Sequence, residues 1–454
     1  MLLIRLRIFI LALALAPLAT QQSRAEPDML ELSRLMLIGS PEQKESAAAT
    51  LIERGGTDMI PSLVLMMRIG GSHKVIRKAL DALTGEILTD WREAMHYQEA
   101  HPKITPHPSY YDLKFWYWGG LDRGFLTLFK DPANDPEELR IRFEEITWGG
   151  ALFDNIPSLD NPALIPAIEA DYLLETDLVF GVSINGDTRA YPLRIMGWHE
   201  MFNEVIGGVP VALAYCTLCG AGILFETQLE DRDKPFVFGS SGLLYRSNKL
   251  MFDRETFSLW NQFTGEPVSG PLAHSGIELK IRPTTVTSWK DWKELHPDTK
   301  VLSLFTGHIR NYDSGFVYRD YFASPDLMFP TITDQTRLLQ KDRVYGIRVA
   351  GGAKAWPISA FANEPVINDQ VGFSNVVLVG DASNRTVRAY DRGSAVFSGD
   401  AQALTGPGGA WTLTEDALLG PNGQRLPRMP GHVSYWFAWD GYLGAESELY
   451  QVSE

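Results

Sequence analysis

The stretch VFGVSINGDTRAYPLRIMGWHEMFNEVIGGVPVAL, residues 179–213, decides the fold, because a second copy of it stands later in the chain. That copy is VYGIRVAGGAKAWPISAFANEPVINDQVGFSNVVL, residues 344–378, and the two align without a gap at a constant offset of 165. Nine of the 35 aligned positions are identical, among them Gly181 with Gly346, Pro192 with Pro357 and Asn203 with Asn368. The sequence therefore indicates an internal duplication.

Each copy has the pattern of a β-hairpin followed by a short helix and another strand. Apolar residues alternate on both sides of a glycine-containing turn, Asn185-Gly186 or Gly351-Gly352, and a proline closes the return strand. We therefore predict an α+β protein with an internally duplicated β-rich domain over residues 145–454. Copy one is expected to span about 171–330 and copy two about 336–454.

The part before this domain has a helical pattern. Residues 26–105 place apolar residues at spacings of three and four in LSRLMLI, AAATLIERG, IPSLVLMMR and VIRKALDALTGEIL. Two similar turn-and-helix openings indicate HEAT-like repeats, and an unrelated helical cap is the alternative. Residues 106–144 form an aromatic-rich connector. We expect its run from Tyr110 to Trp118 to be buried between domains rather than to form an exposed binding platform.

Residues 1–25 resemble a secretory signal peptide. Arg5 and Arg7 precede an apolar stretch, and Ser23-Arg24-Ala25 is a small-residue exit. A membrane anchor needs about 20 unbroken apolar residues, whereas Pro17 interrupts this stretch. We therefore expect a protein exported to the periplasm or the exterior, with no integral membrane segment after cleavage.

The charge balance bears on partners. The chain has 41 basic and 56 acidic residues, which gives a formal net charge of −15. A field of this sign repels phosphate backbones, so nucleic acid is not an expected partner.

The two cysteines mark a difference between the copies. Cys216 and Cys219, spaced C-x-x-C, face Asp381 and Asn384 at the same offset, and His199 faces Glu364. Both copies must satisfy the same scaffold packing, so residues that differ are candidates for function. Two thiolates and an imidazole suit copper, with zinc or iron as alternatives. We predict a metal site of His199, Cys216 and Cys219, with His308 and His432 as candidates for a further ligand.

Other uses of the cysteines stay open at this point. They could form a local disulfide, a redox-active dithiol or a catalytic thiol. Haem attachment of the c type is excluded because Gly220 stands where a histidine must follow. For an enzyme, Asp253 and Arg254 are candidates for orienting a substrate carboxylate, with Trp260, Asn261 and Gln262 along the same cleft. The alternative for Asp253 and Arg254 is a buried polar group that holds a turn.

These motifs resemble a family of exported bacterial and archaeal proteins, domain-of-unknown-function family 3179. The likeness covers residues 148–439 through GGALFDNIPSLDNPALIPA, AYPLR, WHEMFNEVIGG, AYCTLCGAGILF, FGSSGLLYRSNKLMFDRET and the terminal YWFAW. The family typically has Asn-Asp after the histidine helix and Cys-Pro-Leu-Cys at the turn, whereas this chain has Asn203-Glu204 and Cys216-Thr217-Leu218-Cys219. The resemblance implies a shared fold and a shared site, and no known activity.

Three functions follow as hypotheses. The first is an exported metal-binding protein, and the second is a thiol-dependent enzyme or dithiol oxidoreductase with His199 as base. The third is a non-catalytic envelope module whose helical region binds a partner protein.

Overall fold

The computed structural model describes residues 27–70, 73–129, 135 and 138–452. The predicted signal peptide, residues 1–25, lies outside the described residues. Within the described part, no helix combines the length and the apolar character needed to cross a bilayer.

The described residues before position 145 contain six α-helices: five lie in residues 26–105, where the sequence predicted helices, and the sixth lies in the aromatic-rich connector. They are α1 (Met29–Ile38), α2 (Pro41–Arg54), α3 (Ile60–Ile69), α4 (His73–Thr84), α5 (Trp91–Ala100) and α6 (Ser109–Leu121). Helix α2 begins with a reciprocal capping box, because Ser40 accepts from the Gln43 amide and the Gln43 side chain accepts from the Ser40 amide. The HEAT-like assignment of these helices stays a prediction.

The aromatic run lies on α6, where two of its six rings are buried, three are half-buried and one is exposed, so the predicted burial holds only in part. Tyr110 and Trp118 are each 1% exposed, whereas Trp116 is 41% exposed. The Trp118 ring lies 5.4 Å from that of Phe143. The apolar core around them also contains Leu250 and Phe252 from the β-rich part, so the helices and the first sheet share one core.

Strands and four short helices make up the rest of the chain. The helices are α7 (Leu193–His199), α8 (Trp289–Leu295), α9 (Arg319–Ala323) and α10 (Trp436–Leu443). The strands up to residue 302 are β1 (Ile146–Trp148), β2 (Leu159–Asp160), β3 (Leu164–Pro166), β4 (Leu178–Ile184), β5 (Asp187–Pro192), β6 (Met201–Ile206), β7 (Val209–Cys216), β8 (Ala221–Glu226), β9 (Phe238–Tyr245), β10 (Asn248–Asp253), β11 (Leu259–Asn261), β12 (Glu266–Ser269), β13 (Ile281–Arg282), β14 (Thr285–Ser288) and β15 (Lys300–Leu302). The later strands are β16 (Arg343–Val349), β17 (Gly352–Pro357), β18 (Val366–Val371), β19 (Ser374–Asp381), β20 (Thr386–Asp391), β21 (Thr405–Gly406), β22 (Gly409–Ala410), β23 (Thr412–Leu413), β24 (Ala417–Leu419), β25 (Arg425–Met429), β26 (His432–Tyr435) and β27 (Ser447–Leu449).

Among the described residues, five sheets of four to six strands are arranged as a five-bladed propeller, beside the small pair β21-β22. Sheet A has the order β1-β9-β10-β11-β12, sheet B β13-β8-β7-β6-β2 and sheet C β14-β4-β5-β15-β3. Sheet D has the order β26-β16-β17-β27 and sheet E β18-β19-β20-β25-β24-β23. The sequence analysis predicted a β-rich domain and did not predict this arrangement.

The two aligned copies occupy equivalent places in this arrangement. In copy one the hairpin β4-β5 belongs to sheet C, where β14 pairs antiparallel with β4 and β15 pairs parallel with β5. In copy two β16-β17 belongs to sheet D, where β26 and β27 pair in the same two ways. The following strands β6-β7-β8 and β18-β19-β20 build sheets B and E. Each aligned stretch therefore supplies strands to two sheets, and the short helix between them is α7 in copy one and a 3₁₀ helix, Ile358–Ala362, in copy two.

One packing contact is repeated in both halves. A Cβ atom on Gly181 would lie 2.2 Å from the Trp292 ring, and one on Gly346 would lie 1.9 Å from the Trp439 ring. The identity of Gly181 and Gly346 is thus explained by a tryptophan that packs directly on the strand backbone.

Candidate functional site

A cleft of about 710 Å³ opens beside the β7–β8 turn, between sheets A and B. Its polar and sulfur-bearing wall comes from the end of α7, the β7–β8 turn and β10. Its other walls are β9 and the segments 149–157 and 309–318. The side chains with polar or sulfur atoms that line it include Glu200, Cys216, Thr217, Lys249 and Tyr318.

Cys216 and Cys219 are joined by a disulfide in the β7–β8 turn. Gly220 completes the turn with φ 63°, a left-handed conformation that glycine adopts without a Cβ penalty. Cys216 is 2% exposed and lines the cleft, whereas Cys219 is 0% exposed and does not line it. The Cys219 amide donates to the Cys216 sulfur at 3.3 Å. Both cysteines are therefore buried, and Cys216 is the one that borders the cleft.

Both ring nitrogens of His199, the third predicted metal ligand, make hydrogen bonds to other groups. Its Nδ1 lies 2.8 Å from the Pro157 carbonyl oxygen and its Nε2 lies 2.6 Å from the Tyr312 hydroxyl. Since a carbonyl only accepts, Nδ1 carries the proton and Nε2 accepts from Tyr312. Burial lowers the pKa of His199 to about 4, so the ring is neutral near pH 7. The Nε2 lone pair that a metal would use is thus occupied by a hydroxyl.

The structure does not bring the predicted ligands together as a metal centre. In the described part of the chain, no group of three or more His, Cys, Asp or Glu side chains could hold an ion. The His308 ring lies 5.3 Å from that of His199, whereas His432 packs edge-on against Phe263 at 4.8 Å. The metal site of His199, Cys216 and Cys219 stays a prediction.

An ion pair that the sequence analysis missed lies in the same cleft wall. Lys249 Nζ lies 3.0 Å from Glu200 Oε2, and Glu200 Oε1 accepts from the Thr217 hydroxyl at 3.0 Å. Glu200 ends α7 with φ 56°, and its carbonyl accepts from the Tyr215 amide. The signal that could have found Lys249 is its place inside the apolar stretch NKLMFD, because a lysine is rarely buried without a partner.

The electrostatics of this wall follow from its burial. Burial lowers the pKa of Lys249, while the Glu200 carboxylate opposes that shift. Burial, with a smaller contribution from the Glu200 charge, raises the pKa of Tyr318 to about 12. The cleft thus presents an ammonium, a carboxylate and two hydroxyls around the disulfide.

Asp253 and Arg254, the predicted catalytic pair, hold local structure instead of lining this cleft. Asp253 is fully buried and accepts from the Thr256 amide at 2.6 Å, the Thr256 hydroxyl at 2.7 Å and Trp260 Nε1 at 2.9 Å. Arg254 pairs with Asp154 at 2.8 Å and with Asp160 at 3.1 Å. These contacts fit the structural interpretation of Asp253 and Arg254, in which they form a polar group that holds a turn.

The side chains of Asn261 and Gln262, which follow Trp260, also make hydrogen bonds to the backbone. Asn261 accepts from the Phe263 amide, and Gln262 donates to the carbonyls of Ala214 and Ala221. Gln262 therefore joins β11 to the strands on both sides of the cysteine turn, and none of the three residues lines the cleft.

We compared the chain with protein families, curated proteins and solved structures. Neither a curated protein nor a solved structure matches it significantly. One family model matches residues 153–446, which contain the whole propeller except β1 and β27 and include the cleft's α7, cysteine turn and β10. The resemblance seen in the sequence is confirmed: the chain belongs to the family described as Protein of unknown function (DUF3179).

Proposed function

We propose that this chain is an exported thiol–disulfide oxidoreductase in which Cys216 and Cys219 exchange two electrons with a thiol substrate bound in the cleft. The observation that supports the proposal is the position of the two cysteines: both are buried, but only Cys216 lines the cleft. Cys216 borders the cleft, and Cys219 is enclosed behind it. A sulfur at the cleft that is attacked and an enclosed sulfur that leaves and later resolves are what ordered exchange requires.

The proposed thiol–disulfide exchange conserves atoms and electrons. A substrate thiolate attacks Cys216 Sγ, the Cys216–Cys219 bond breaks, and its electron pair leaves on Cys219 Sγ, which takes up a proton. A second substrate thiolate then attacks the substrate sulfur of the mixed disulfide and releases the Cys216 thiolate. The substrate departs as a disulfide, oxidised by two electrons, and an external disulfide compound reoxidises the protein by the reverse steps.

The surroundings of Cys216 suit a thiolate. The Cys219 amide that points at its sulfur at 3.3 Å stabilises negative charge there. Thr217 lies next to Cys216 in the chain and bonds to Glu200, which is paired with Lys249. Lys249 and Glu200 position the turn and give the cleft a polar side against which a substrate backbone can bind.

Alkylation of single-cysteine variants tests the asymmetry. In the full chain carrying Cys219→Ser, we expect Cys216 to react with iodoacetamide about tenfold faster near neutral pH than Cys219 does in the matched Cys216→Ser chain. In denaturant the two variants should react at one rate. Equal rates in the native proteins would contradict the proposal.

Redox titration tests the activity itself. We expect the wild-type disulfide to equilibrate with glutathione buffers, and the Cys219→Ser chain to trap a mixed disulfide on Cys216. A disulfide that millimolar dithiothreitol leaves intact in the native chain would instead favour a structural bridge and the non-catalytic envelope module. Metal analysis of the reduced protein tests the copper, zinc or iron prediction on the same samples.

A further inference from the structure

A second cavity, of about 330 Å³, lies on the other side of the cysteine turn. We call it the arginine cavity, because Arg343 and Arg385 both line it. Its aromatic lining consists of Phe180, Tyr215, Phe322 and Tyr435. No sulfur lines it, so an argument about this cavity does not depend on the redox proposal.

The two guanidinium groups have no acidic partner in the described part of the chain. Arg343 donates to the Tyr435 hydroxyl at 3.2 Å and lies over that ring at 5.0 Å, and these contacts fix its orientation. Arg385 makes no ion pair with a described carboxylate. This is unusual in a chain whose formal net charge is −15.

The one carboxylate that lines the cavity is already engaged. Asp177 pairs with Arg194 at 2.9 Å and accepts from the Ser314 hydroxyl and the Leu174 amide. Arg194 in turn donates to the carbonyls of Tyr172 and Tyr312. The positive charge of Arg343 and Arg385 is therefore not neutralised from within the cavity.

The backbone conformation of Arg385 is unfavourable for a residue with a side chain, which suggests that the arginine side chain has a role. Arg385 has φ 63°, in the left-handed region that a residue with a Cβ avoids. The residue at the same place in copy one is Gly220, offset by 165, and it has the same φ of 63°. Copy two therefore carries a long cation at a turn position that suits glycine, and an unfavourable conformation held in a cavity wall is a reason to look for function.

The like charges of Arg343 and Arg385 repel each other, which is a second reason to expect an anion in this cavity. Burial, together with the Arg343 charge, lowers the pKa of Arg385, although an arginine stays protonated at any physiological pH. Two half-buried cations that face one cavity are stabilised when an anion binds between them.

We propose that the arginine cavity binds the oxyanion of a small organic molecule, a carboxylate or a phosphate ester, with the apolar part of the ligand against the aromatic walls. Arg343 and Arg385 would hold the anion through forked N–H donors, as guanidinium groups do with planar oxyanions. Phe180 and Tyr215 form an apolar wall on the copy-one side.

Calorimetric titration of the full chain tests this, with benzoate and phenyl phosphate as anionic probes and benzamide as the uncharged analogue of benzoate. We expect at least one anion to bind and benzamide not to bind. Arg385→Gly and Arg343→Gln should each weaken anion binding about tenfold or more, whereas the exposed Arg425→Gln, which removes the same charge elsewhere, should leave it unchanged. Benzoate binding alone would assign a carboxylate ligand, and phenyl phosphate binding alone would assign a phosphate ester.

The Arg385→Gly variant separates binding from folding. Glycine suits φ 63° and removes a like charge, so this chain should be at least as stable as the wild type. A folded Arg385→Gly chain that binds the anions as tightly as wild type would overturn the proposal. Equal binding of benzamide and benzoate, or no binding of either anion to the wild type, would do the same.

Discussion

The Glu200–Lys249 ion pair is buried in the cleft wall, so its loss should change the stability of the protein. The Lys249 side chain is 3% exposed and that of Glu200 11% exposed. Lys249→Met leaves the carboxylate without its cation, and we expect it to reduce the free energy of unfolding by about 3–5 kcal/mol. The double variant Glu200→Gln/Lys249→Met should recover part of that loss, because it removes both charges. Urea unfolding of the three variants measures these changes.

A matched control lies on the surface. Lys280 pairs with Glu226 at the same 3.0 Å, but its side chain is 66% exposed. Lys280→Met should therefore change the free energy of unfolding by no more than about 1 kcal/mol. If Lys249→Met costs as little as Lys280→Met, the buried pair does not stabilise the cleft wall.

His432 predicts how stability depends on pH. Burial, with a smaller effect of the Arg348 charge, lowers the pKa of His432 to about 3. Between that value and the pKa of about 6.5 in the unfolded chain, the unfolded state binds a proton that the folded state does not. Stability is therefore lost as the pH falls from about 6.5 toward 3.

Removing that imidazole should flatten the acid side of the stability profile. We expect His432→Phe to decrease the slope of the free energy of unfolding by up to about 1.4 kcal/mol per pH unit across this window. Urea unfolding at several pH values measures the slope, and the exposed His308→Phe serves as control. An unchanged slope in His432→Phe would show that His432 titrates normally in the folded chain.

At single residues, the sequence predicted differences between the copies but not contacts between distant segments. Cys216 and Cys219 were recognised because the duplication gave a comparison, and a turn places them together. Glu200 and Lys249 are 49 positions apart and meet only because sheet A packs beside sheet B. The Nε2 atom of His199 is occupied by Tyr312, from a segment with no motif of its own.

At the scale of elements, the hairpins were predictable because their signals are local. Alternating apolar residues, a glycine turn and a closing proline lie within 14 residues in each copy, and both hairpins, β4-β5 and β16-β17, are present. The turn of copy one is Asn185-Gly186 as predicted, whereas that of copy two is Ala350-Gly351, one residue before the predicted Gly351-Gly352. The pairing of β14 with β4 was not predictable, since more than 90 residues separate these strands and their pattern does not name a partner.

The repeated glycine–tryptophan contact gives a prediction at this scale. Gly181→Ala and Gly346→Ala each place a Cβ inside the van der Waals radius of a buried indole, Trp292 or Trp439. We expect each substitution to reduce the free energy of unfolding by about 1–3 kcal/mol, because the indole must move in a packed core. Denaturant unfolding measures both.

Gly120 on α6 is the matched control. A Cβ at Gly120 meets no atom within 4 Å, so Gly120→Ala should be neutral or stabilising by up to about 1 kcal/mol. A small effect in one copy and a large one in the other would show that the two tryptophans are not equivalent in packing.

At the scale of the molecule, the sequence indicated a duplicated β-rich domain but not the number of blades. The two aligned stretches each supply strands to two sheets, which accounts for four, and sheet A is built from β1 and from β9–β12, which follow the aligned stretch of copy one. That fifth sheet has no counterpart in the aligned stretches, so the duplication alone could not reveal it. Sheet A is also the sheet that packs against the helices.

The shared core of the helices and sheet A predicts that they unfold together. Leu63 of α3, Phe143 and Phe252 of β10 belong to one buried cluster. Outside that cluster, Arg92 of α5 donates to the carbonyls of Leu327 and Met328 at 3.0 and 2.9 Å. We expect Phe143→Ala, which removes a ring that is 2% exposed, to cost about 3–5 kcal/mol and to destabilise both regions equally.

Hydrogen exchange measured by mass spectrometry across a urea series tests this, with peptides from α3 and from β10 followed in the same samples. Coincident transitions, shifted equally by Phe143→Ala, are expected for one cooperative unit. Trp116→Ala, which removes an aromatic side chain of α6 that is 41% exposed, should shift both transitions much less. Helices that unfold at lower urea than β10 would instead make the N-terminal region a separate unit, in which case Phe143→Ala would move the α3 transition and leave that of β10 in place.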